Sequence, residues 1–342
     1  MSSNSAATDN SAAFGGWLAS LSERYGIDPG AIAKASSDAG FRQYFRVKGR
    51  DRSYIVMEAS GETQESFEAF IKIDALMRNE AKLNAPEIFE ADHEHRFMLL
   101  SDLGTKTYLD VLNEDNARGL MDKATTALVA WQKISRPGVL PEYSREVLSR
   151  ELSLFPEWYV GRHRGVTWDE THRKWWKMAA DAILENNCRE ARVFVHRDFM
   201  PRNLMISDPT PGILDFQDAL YGPVSYDIAS LMRDAFISWG EEFVLDTTIR
   251  YWEKARKAGI PVPGDFSAFY RDVEFMGVQR HLKVLGIFAR LNYRDGKPRY
   301  LADTPRFIDY VRKTSQRYIV LSPLLHLVNE LEGVAPKTGY TF

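Results

Sequence analysis

The sequence predicts an α+β chain of two lobes, a small N-terminal lobe rich in antiparallel strands and a larger, mostly helical C-terminal lobe. A chain of 342 residues is too long for one compact core, so about two domains are expected. Strand-like alternation of apolar residues is concentrated in the first third of the chain, and helical spacing dominates after it. We therefore predict a disordered tail over residues 1–13, one lobe over residues 14–103 and the second over residues 104–342.

The composition argues against several classes of protein. The formal net charge of −3 gives no electrostatic case for binding nucleic acid or an anionic membrane. The single cysteine, Cys188, excludes a disulfide framework and a zinc site built from several cysteines. No apolar run approaches the roughly 18 residues of a membrane span, and the N-terminus lacks the pattern of a secretion signal. We therefore expect a cytoplasmic protein without nucleic-acid or membrane partners.

In the N-terminal lobe, apolar residues at helical spacing predict helices over residues 14–25 and 67–76. Alternation predicts four strands, over residues 44–47, 54–57, 87–91 and 96–100. The segment Ser101-Asp102-Leu103-Gly104 breaks the pattern and marks the hinge between the lobes. Helices of the C-terminal lobe are predicted over residues 117–134, 144–160, 170–186, 224–239, 241–258, 265–290 and 304–330.

Two short motifs carry the chemistry of the chain. An apolar strand over residues 192–195 leads into His196-Arg197-Asp198, and Asn203 follows at the spacing D-x-x-x-x-N. The apolar segments 204–206 and 213–214 flank a run of turn residues, which predicts a hairpin. Pairing of Ile206 with Ile213 would bring Asn203 and Asp215 to the same open end of this hairpin, beside the Asp198 loop.

These residue types suit the transfer of a phosphoryl group from ATP. Asp198 is predicted to accept the proton of the attacking hydroxyl, and Asn203 and Asp215 are predicted to bind magnesium. Magnesium prefers oxygen ligands and retains several waters, so one or two protein groups together with phosphates suffice. An isolated His-Arg-Asp would equally fit a polar turn after a strand, but the complete spacing favours the functional interpretation. We expect His196 to pack the loop rather than to act in catalysis.

The segments His196-Arg197-Asp198…Asn203 and Asp215-Phe216-Gln217-Asp218 resemble the kinase-like phosphotransferases that include aminoglycoside and choline kinases. This resemblance implies a bilobal protein-kinase-like fold, with an ATP side in the N-terminal lobe and the catalytic loop and substrate site in the C-terminal lobe. It also implies the cofactors ATP and Mg²⁺, and a role for Asp227 in bracing the catalytic loop. The chain between Asp215 and Asp227 is too short for the activation segment of a protein kinase, so a protein substrate is not expected.

Three further segments look like the bacterial anomeric kinases of N-acetylmuramate and N-acetylglucosamine. They are residues 41–46, 279–291 and 293–298. The resemblance implies phosphorylation of an amino sugar at its anomeric hydroxyl in cell-wall recycling, upstream of a nucleotidyltransferase that uses the sugar 1-phosphate. Preference between the two sugars stays open. Two alternatives also stay open, namely a related kinase of aminoglycosides, choline or homoserine, and a nucleotide-binding pseudokinase.

The nucleotide side departs from the general kinase pattern in two respects. There is no G-x-G-x-x-G, and the strand over residues 54–57 is followed by Glu58 where a phosphate-binding lysine is usual. We expect Arg42 or Arg46 to supply the missing positive charge, with Glu58 orienting it. The predicted nucleotide-binding residues are Ser37, Asp38, Gly40, Phe41, Arg42, Asp102 and Leu103.

On the substrate side, the lactyl carboxylate of N-acetylmuramate requires a cationic or hydrogen-bonding partner, and sugar faces stack on aromatic rings. Arg202 is the leading cation because it lies inside the catalytic loop, although it would also suit the γ-phosphate. A packing, capping or solvated role is the alternative for the other candidates. The predicted substrate residues are Arg202, Asp218, Glu151, Trp158, Arg280 and Arg294.

Overall fold

The computed structural model describes residues 12–36 and 42–334, and these residues have the predicted α+β architecture. The chain divides into two compact units. The first contains the described residues up to Val111 together with Arg202–Ala219, and the second contains Leu112–Pro201 and the described residues from Leu220 onwards. The sequence placed the boundary after residue 103, so it did not foresee that Arg202–Ala219 returns to the first unit. That the two regions serve ATP and substrate respectively remains a prediction.

A five-stranded antiparallel sheet organises the first unit. Its strands are β1 (Ala33–Ser36), β2 (Gln43–Lys48), β3 (Ser53–Glu58), β4 (Ile88–Asp92) and β5 (Phe97–Ser101), in the spatial order β1-β2-β3-β5-β4. Tyr54, Val56 and Leu99 are buried and pack with Leu18 and Leu21, because alternate residues of a strand face the same side. The four predicted strands are confirmed, and β1 is an additional edge strand.

The helices of the first unit are α1 (residues 12–20), α2 (Ser22–Tyr25), α3 (Gln64–Ala75) and α4 (Tyr108–Val111). Ala12 and Ala13 begin α1, so the prediction that they end a disordered tail is wrong; alanine is a strong helix former. Residues 1–11 lie outside the described residues. A π-helical turn, Leu76–Glu80, extends α3. Phe14 fixes α1 against the sheet, with its ring centroid 5.6 Å from that of Phe45.

The predicted hairpin is present in the first unit, but its register differs from the prediction. Its strands are β7 (Leu204–Met205) and β8 (Gly212–Ile213), and Leu204 pairs with Ile213. Ile206 does not pair with Ile213, because its N–H donates to the Lys106 carbonyl at 2.8 Å. The Leu214 N–H donates instead to the Asn203 carbonyl at 2.9 Å. This register places Asn203 opposite Leu214, the residue before Asp215, so the two predicted ligands still lie at the same end of the hairpin.

The second unit is built from helices around one short strand pair, β6 (Arg192–Val195) with β9 (Leu220–Pro223). Its helices are α5 (Ala117–Lys133), α6 (Arg145–Leu154), α7 (Glu170–Cys188), α8 (Tyr226–Met232), α9 (Glu241–Lys257), α10 (Phe266–Tyr293), α11 (Thr304–Arg317) and α12 (Ser322–Leu331). A π-helical segment, Phe155–His163, continues α6. Within the residues that the structure describes, no helix combines the length and apolarity that a membrane span requires.

Two predicted helices of the second unit are shorter than expected. The helix predicted over residues 224–239 ends at Met232, because the Asp234 carboxylate accepts the N–H groups of Phe236 and Ile237 and holds a turn there. The helix predicted over residues 304–330 is interrupted after Arg317. Backbone at Tyr318 is extended, and Pro323 occupies the first turn of α12, where its missing N–H costs nothing.

Close packing of α10 on α6 yields a test of this part of the fold. A Cβ at Gly286 would lie 2.5 Å from the carbonyl carbon, the carbonyl oxygen and the Cβ of Leu154. We expect Gly286→Ala to lower the free energy of unfolding by about 1–3 kcal/mol, because backbone atoms cannot yield as a side chain does. Thermal denaturation measures the loss.

Gly277→Ala on the same helix is the matched control. The nearest atoms to its Cβ would be at 3.8 and 4.0 Å, which is ordinary contact. This variant should be neutral or more stable by about 0.5–1 kcal/mol. Equal melting temperatures for the two variants would contradict the close approach of α10 to α6.

Candidate functional site

The loop after β6 is fixed by a buried carboxylate on α8. Val193, Phe194 and Val195 are fully buried and anchor the strand that leads into it. Asp227, also fully buried, accepts the His196 N–H at 2.7 Å and the Arg197 N–H at 3.0 Å. These two hydrogen bonds are what the bracing role implied for Asp227 by the family resemblance requires. Burial raises the pKa of Asp227 to about 7, although the two N–H donors lower it.

Arg197 has a left-handed backbone, with φ of 77°. Such a conformation costs a non-glycine residue about 1–3 kcal/mol and persists only where its surroundings enforce it. The guanidinium of Arg197 donates to Glu151 at 2.8 Å, and Lys283 donates to the same Glu151 oxygen at 2.7 Å. Tyr143 donates to the second oxygen of Glu151. Glu151, a predicted substrate residue, is thus only 9% exposed and lies beneath the loop as an anchor for Arg197.

Asp198, the predicted base, lies at the open side of this loop. Its side chain is 40% exposed, which leaves it accessible to a ligand. Burial alone would raise the pKa of Asp198, but the positive charges of Arg280 and Lys283 outweigh that effect and hold the pKa below its usual range. Asp198 is therefore a carboxylate at neutral pH, as a proton acceptor must be.

The predicted metal ligands meet in the first unit. The Asn203 amide nitrogen lies 3.4 Å from Oδ2 of Asp215, and the Gln217 amide nitrogen donates to Oδ1 at 2.9 Å. Asn203 and Gln217 are buried, whereas Asp215 is exposed. Asp215 also has a left-handed backbone, with φ of 64°. The segment after β8 therefore presents one carboxylate, held between two amides.

This donor set fits magnesium. A carboxylate and an amide are hard oxygen donors, and phosphates and waters complete the coordination that magnesium prefers. Asn203 would present its oxygen rather than its nitrogen on rotation of the amide by half a turn. Among residues 12–36 and 42–334, no cluster of three or more histidine, cysteine, aspartate or glutamate side chains is arranged to hold a metal. A site of one carboxylate and one amide does not need such a cluster.

Most of the predicted phosphate loop lies outside the described residues, namely Ser37, Asp38, Gly40 and Phe41. Arg42 is described, and its guanidinium donates to the Ser66 hydroxyl at 2.7 Å and lies 3.6 Å from a carboxylate oxygen of Glu62. The side chain is 10% exposed. Arg42 thus ties the end of the loop to the first turn of α3.

The second predicted cation of the nucleotide side is also paired. Arg46 donates twice to Asp102, at 2.6 and 2.9 Å, and once to the Gly104 carbonyl at 2.8 Å. Asp102 further accepts from Ser53 at 2.7 Å. Burial would raise the pKa of Asp102, but hydrogen bonds from Arg46 and Ser53 lower it. The carboxylate of the predicted hinge residue Asp102 is therefore engaged by hydrogen bonds from other residues of the first unit. Leu103, the next residue, is half-buried.

The remaining substrate candidates fall into different environments. Arg202 and Trp158 are half-buried, and Asp218 is exposed. Arg294 is exposed after the end of α10 and forms a two-pronged pair with Asp295 at 2.7 and 2.9 Å. Arg280 is buried beside Asp198, with the nearest nitrogen and oxygen 3.8 Å apart.

Sequence reasoning did not assign site roles to Lys283 or Gln217. Lys283 is one helical turn beyond Arg280, so the spacing i, i+3 placed both on one face of α10 and was a usable signal. Gln217 follows Asp215 by two residues, and its amide donates back to the carboxylate of Asp215, whose own backbone is left-handed. That conformation has no signal in the residue types.

Comparison with known proteins places these motifs in a family. The profile described as the phosphotransferase enzyme family matches residues 31–262. An N-acetylmuramate/N-acetylglucosamine kinase of Pseudomonas aeruginosa is 50% identical, over 89% of this chain and 90% of its own. A protein of the same name from Neisseria meningitidis is 46% identical, over 95% of this chain and 97% of its own.

Solved structures agree on the fold. The ADP-bound aminoglycoside phosphotransferase APH(2'')-Ib superposes with a TM-score of 0.58, over 85% of this chain and 95% of its own, at 16% identity. At that identity the likeness concerns the fold alone, and it confirms the predicted protein-kinase-like class.

Replacement of the carboxylate on α8 tests its hold on the loop. We expect Asp227→Asn to lower kcat by about tenfold or more, because the amide can accept only one of two buried N–H donors and an unsatisfied one costs about 1–3 kcal/mol. Steady-state kinetics measure the change in kcat, and thermal denaturation measures the change in stability. Asp181→Asn, at an exposed position of α7, is the control, and an Asp227→Asn variant with the kcat of the control would disprove the bracing role.

Proposed function

Because the chain belongs to the phosphotransferase enzyme family, we propose that it is an ATP-dependent kinase of the anomeric hydroxyl of N-acetylmuramate or N-acetylglucosamine. The observation that carries this proposal is identity at about half of all positions, over most of the chain, to proteins named for these two sugars. The product is a sugar 1-phosphate. A nucleotidyltransferase that activates sugar 1-phosphates would consume it, and the ATP requirement fits work in the cytoplasm.

The proposed reaction uses Asp198 as the proton acceptor. The anomeric oxygen bonds to the γ-phosphorus of ATP while the bond from that phosphorus to the ADP oxygen breaks, and the hydroxyl proton passes to the Asp198 carboxylate. An anomeric hydroxyl is more acidic than an ordinary alcohol, so a single carboxylate is an adequate base. The low pKa of Asp198 supports this role, since it keeps the acceptor ionised at neutral pH. A base of this kind contributes about 10²- to 10⁴-fold to the rate.

Asn203 and Asp215 are the proposed ligands of Mg²⁺, and Gln217 the residue that orients Asp215. Magnesium, when bound, neutralises charge on the phosphate oxygens. The exposure of Asp215 supports its assignment as the ligand, and its left-handed backbone is the kind of local strain that surrounding contacts maintain at functional positions.

A panel of acceptors tests the reaction. ATP and Mg²⁺ are supplied with N-acetylmuramate, N-acetylglucosamine, choline or an aminoglycoside, and ADP release is followed. We expect turnover with at least one of the two amino sugars, and a sugar phosphate that is stable to alkali but labile to acid. The 1-O-methyl glycoside of the same sugar is the matched control, because its anomeric oxygen has no proton. Turnover of the glycoside, or of choline or the aminoglycoside alone, would overturn the proposal.

Asp198→Asn tests the base. We expect kcat to fall by about 10²- to 10⁴-fold, because an amide cannot accept the proton. ATP binding, measured by calorimetry with Mg²⁺, should persist. Asp309→Asn, at an exposed position of α11, is the control. A kcat within twofold of the control would exclude Asp198 as the base.

Asp215→Asn tests the metal site. We expect the Mg²⁺ concentration that gives half-maximal activity to rise by about tenfold or more, because loss of a charged ligand removes more than about 1.4 kcal/mol. A Mg²⁺ titration of initial rates measures it. Asp51→Asn is the control, since Asp51 is an exposed turn residue of the same unit. An unchanged titration in Asp215→Asn would contradict the assignment.

A further inference from the structure

Arg280 is a buried cation in the middle of α10. Only 5% of its side chain is exposed. A charge taken out of water needs compensating partners, since an isolated buried ion is very costly. The partners of Arg280 therefore indicate why the chain keeps a charge at this position.

Those partners belong to the loop that carries Asp198. Nη1 of Arg280 donates to the Arg197 carbonyl at 3.0 Å and lies 3.8 Å from Oδ1 of Asp198. Nη2 lies 4.0 Å from the sulfur of Met200. The Arg197 carbonyl is part of the peptide that joins Arg197 to Asp198. One guanidinium therefore contacts both the main chain and the carboxylate of the predicted base.

The same stretch is held from its other side by α8. Asp227 accepts the Arg197 N–H at 3.0 Å, while Arg280 donates to the Arg197 carbonyl. Arg197 is left-handed, so its conformation depends on such ties. The hydrogen bond from Arg280 adds a restraint on rotation of the peptide that precedes Asp198 about the Arg197 Cα–C bond.

Three elements of the second unit bring charged groups to Asp198. These groups include Arg280 and Lys283 on α10, His196 and Arg197 in the loop, and Asp227 on α8. Lys283 and Arg197 share the carboxylate of Glu151, which offsets part of their charge. Arg280 forms its ion pair with Asp198 itself. It therefore acts on the predicted base directly, through this ion pair.

We propose that Arg280 is a positioning residue for Asp198, which it orients through the Arg197–Asp198 peptide and through its ion pair with the carboxylate. This inference rests on the proposed function, and it replaces the expectation that Arg280 binds the carboxylate of the substrate. A guanidinium that is already engaged by a carbonyl and a carboxylate, and that is 95% buried, is poorly placed to receive a further anion.

The test compares Arg280→Met, which keeps the length and removes the charge and donors, with Arg280→Lys, which keeps the charge but not the planar fork. In Arg280→Met we expect kcat to fall by about 10²-fold, since misplacement of a reacting group by about 1 Å has that effect. The KM for each sugar should stay within about twofold of wild type. The acidic limb of the kcat profile should move to higher pH, because Asp198 loses the positive charge of Arg280, which holds its pKa down.

Arg280→Lys should retain the acidic limb near its wild-type pH while kcat remains below wild type. Arg312→Met is the control for loss of a half-buried arginine, since Arg312 lies on α11, outside the loop, and donates to Asn329 on α12 at 2.9 Å. If Arg280→Met does not fold, as thermal denaturation will show, the behaviour of Arg280→Lys decides the question. A loss of kcat with an unmoved acidic limb in that variant supports the proposal.

The opposite result separates the two roles of Arg280. A receptor for the lactyl carboxylate would raise the KM for N-acetylmuramate in Arg280→Lys and leave the kinetics of N-acetylglucosamine unchanged, and this outcome would overturn the proposal. A kcat of Arg280→Met within twofold of wild type, with an unmoved limb, would overturn it also. Failure of the proposed function is distinct, since the wild-type protein itself would then turn over neither sugar.

Discussion

The peptide between Arg197 and Asp198 is the element on which the proposed chemistry depends. Arg197 has a left-handed backbone. Its N–H donates to Asp227, and its carbonyl accepts a hydrogen bond from Arg280. Hydrogen bonds to charged groups are worth about 1.5–3 kcal/mol each, which is enough to offset the strain of about 1–3 kcal/mol. Two helices distant in sequence, α8 and α10, therefore decide where the side chain of Asp198 lies.

Strain and anchoring recur at the other predicted functional carboxylate. Among the described non-glycine residues, φ is positive at Lys82, Arg96, Arg197 and Asp215. Two of these four lie within the motifs that the sequence singled out. In each case side chains of the same unit fix the strained segment, Glu151 for Arg197 and Gln217 for Asp215. In both units, backbone strain therefore occurs where a charged side chain is held in a fixed orientation.

The sequence predicted what local patterns encode and missed what tertiary contacts decide. Alternation located β2 to β5, and motif spacing singled out Asp198, Asn203 and Asp215, whose chemical roles stay predictions. The hairpin was predicted but not its register, because the competing acceptor, the Lys106 carbonyl, is far along the chain. Glu151 was predicted to contact the substrate. No local pattern in the sequence shows that Lys283 and Arg197 both donate to its carboxylate.

The first unit is discontinuous, and this affects how such a protein can be divided. The stretch that ends at Val111 lacks Arg202–Ala219, although Asn84 bonds to Ser207 at 3.0 Å and Thr107 bridges to Met205 within that unit. A truncation after Val111 would leave the acceptors and donors of these contacts exposed to water and would remove Asn203 and Asp215. A gene fusion at a single boundary could therefore not transfer the first unit alone, since Leu112–Pro201, a segment of the second unit, separates its two segments in the sequence.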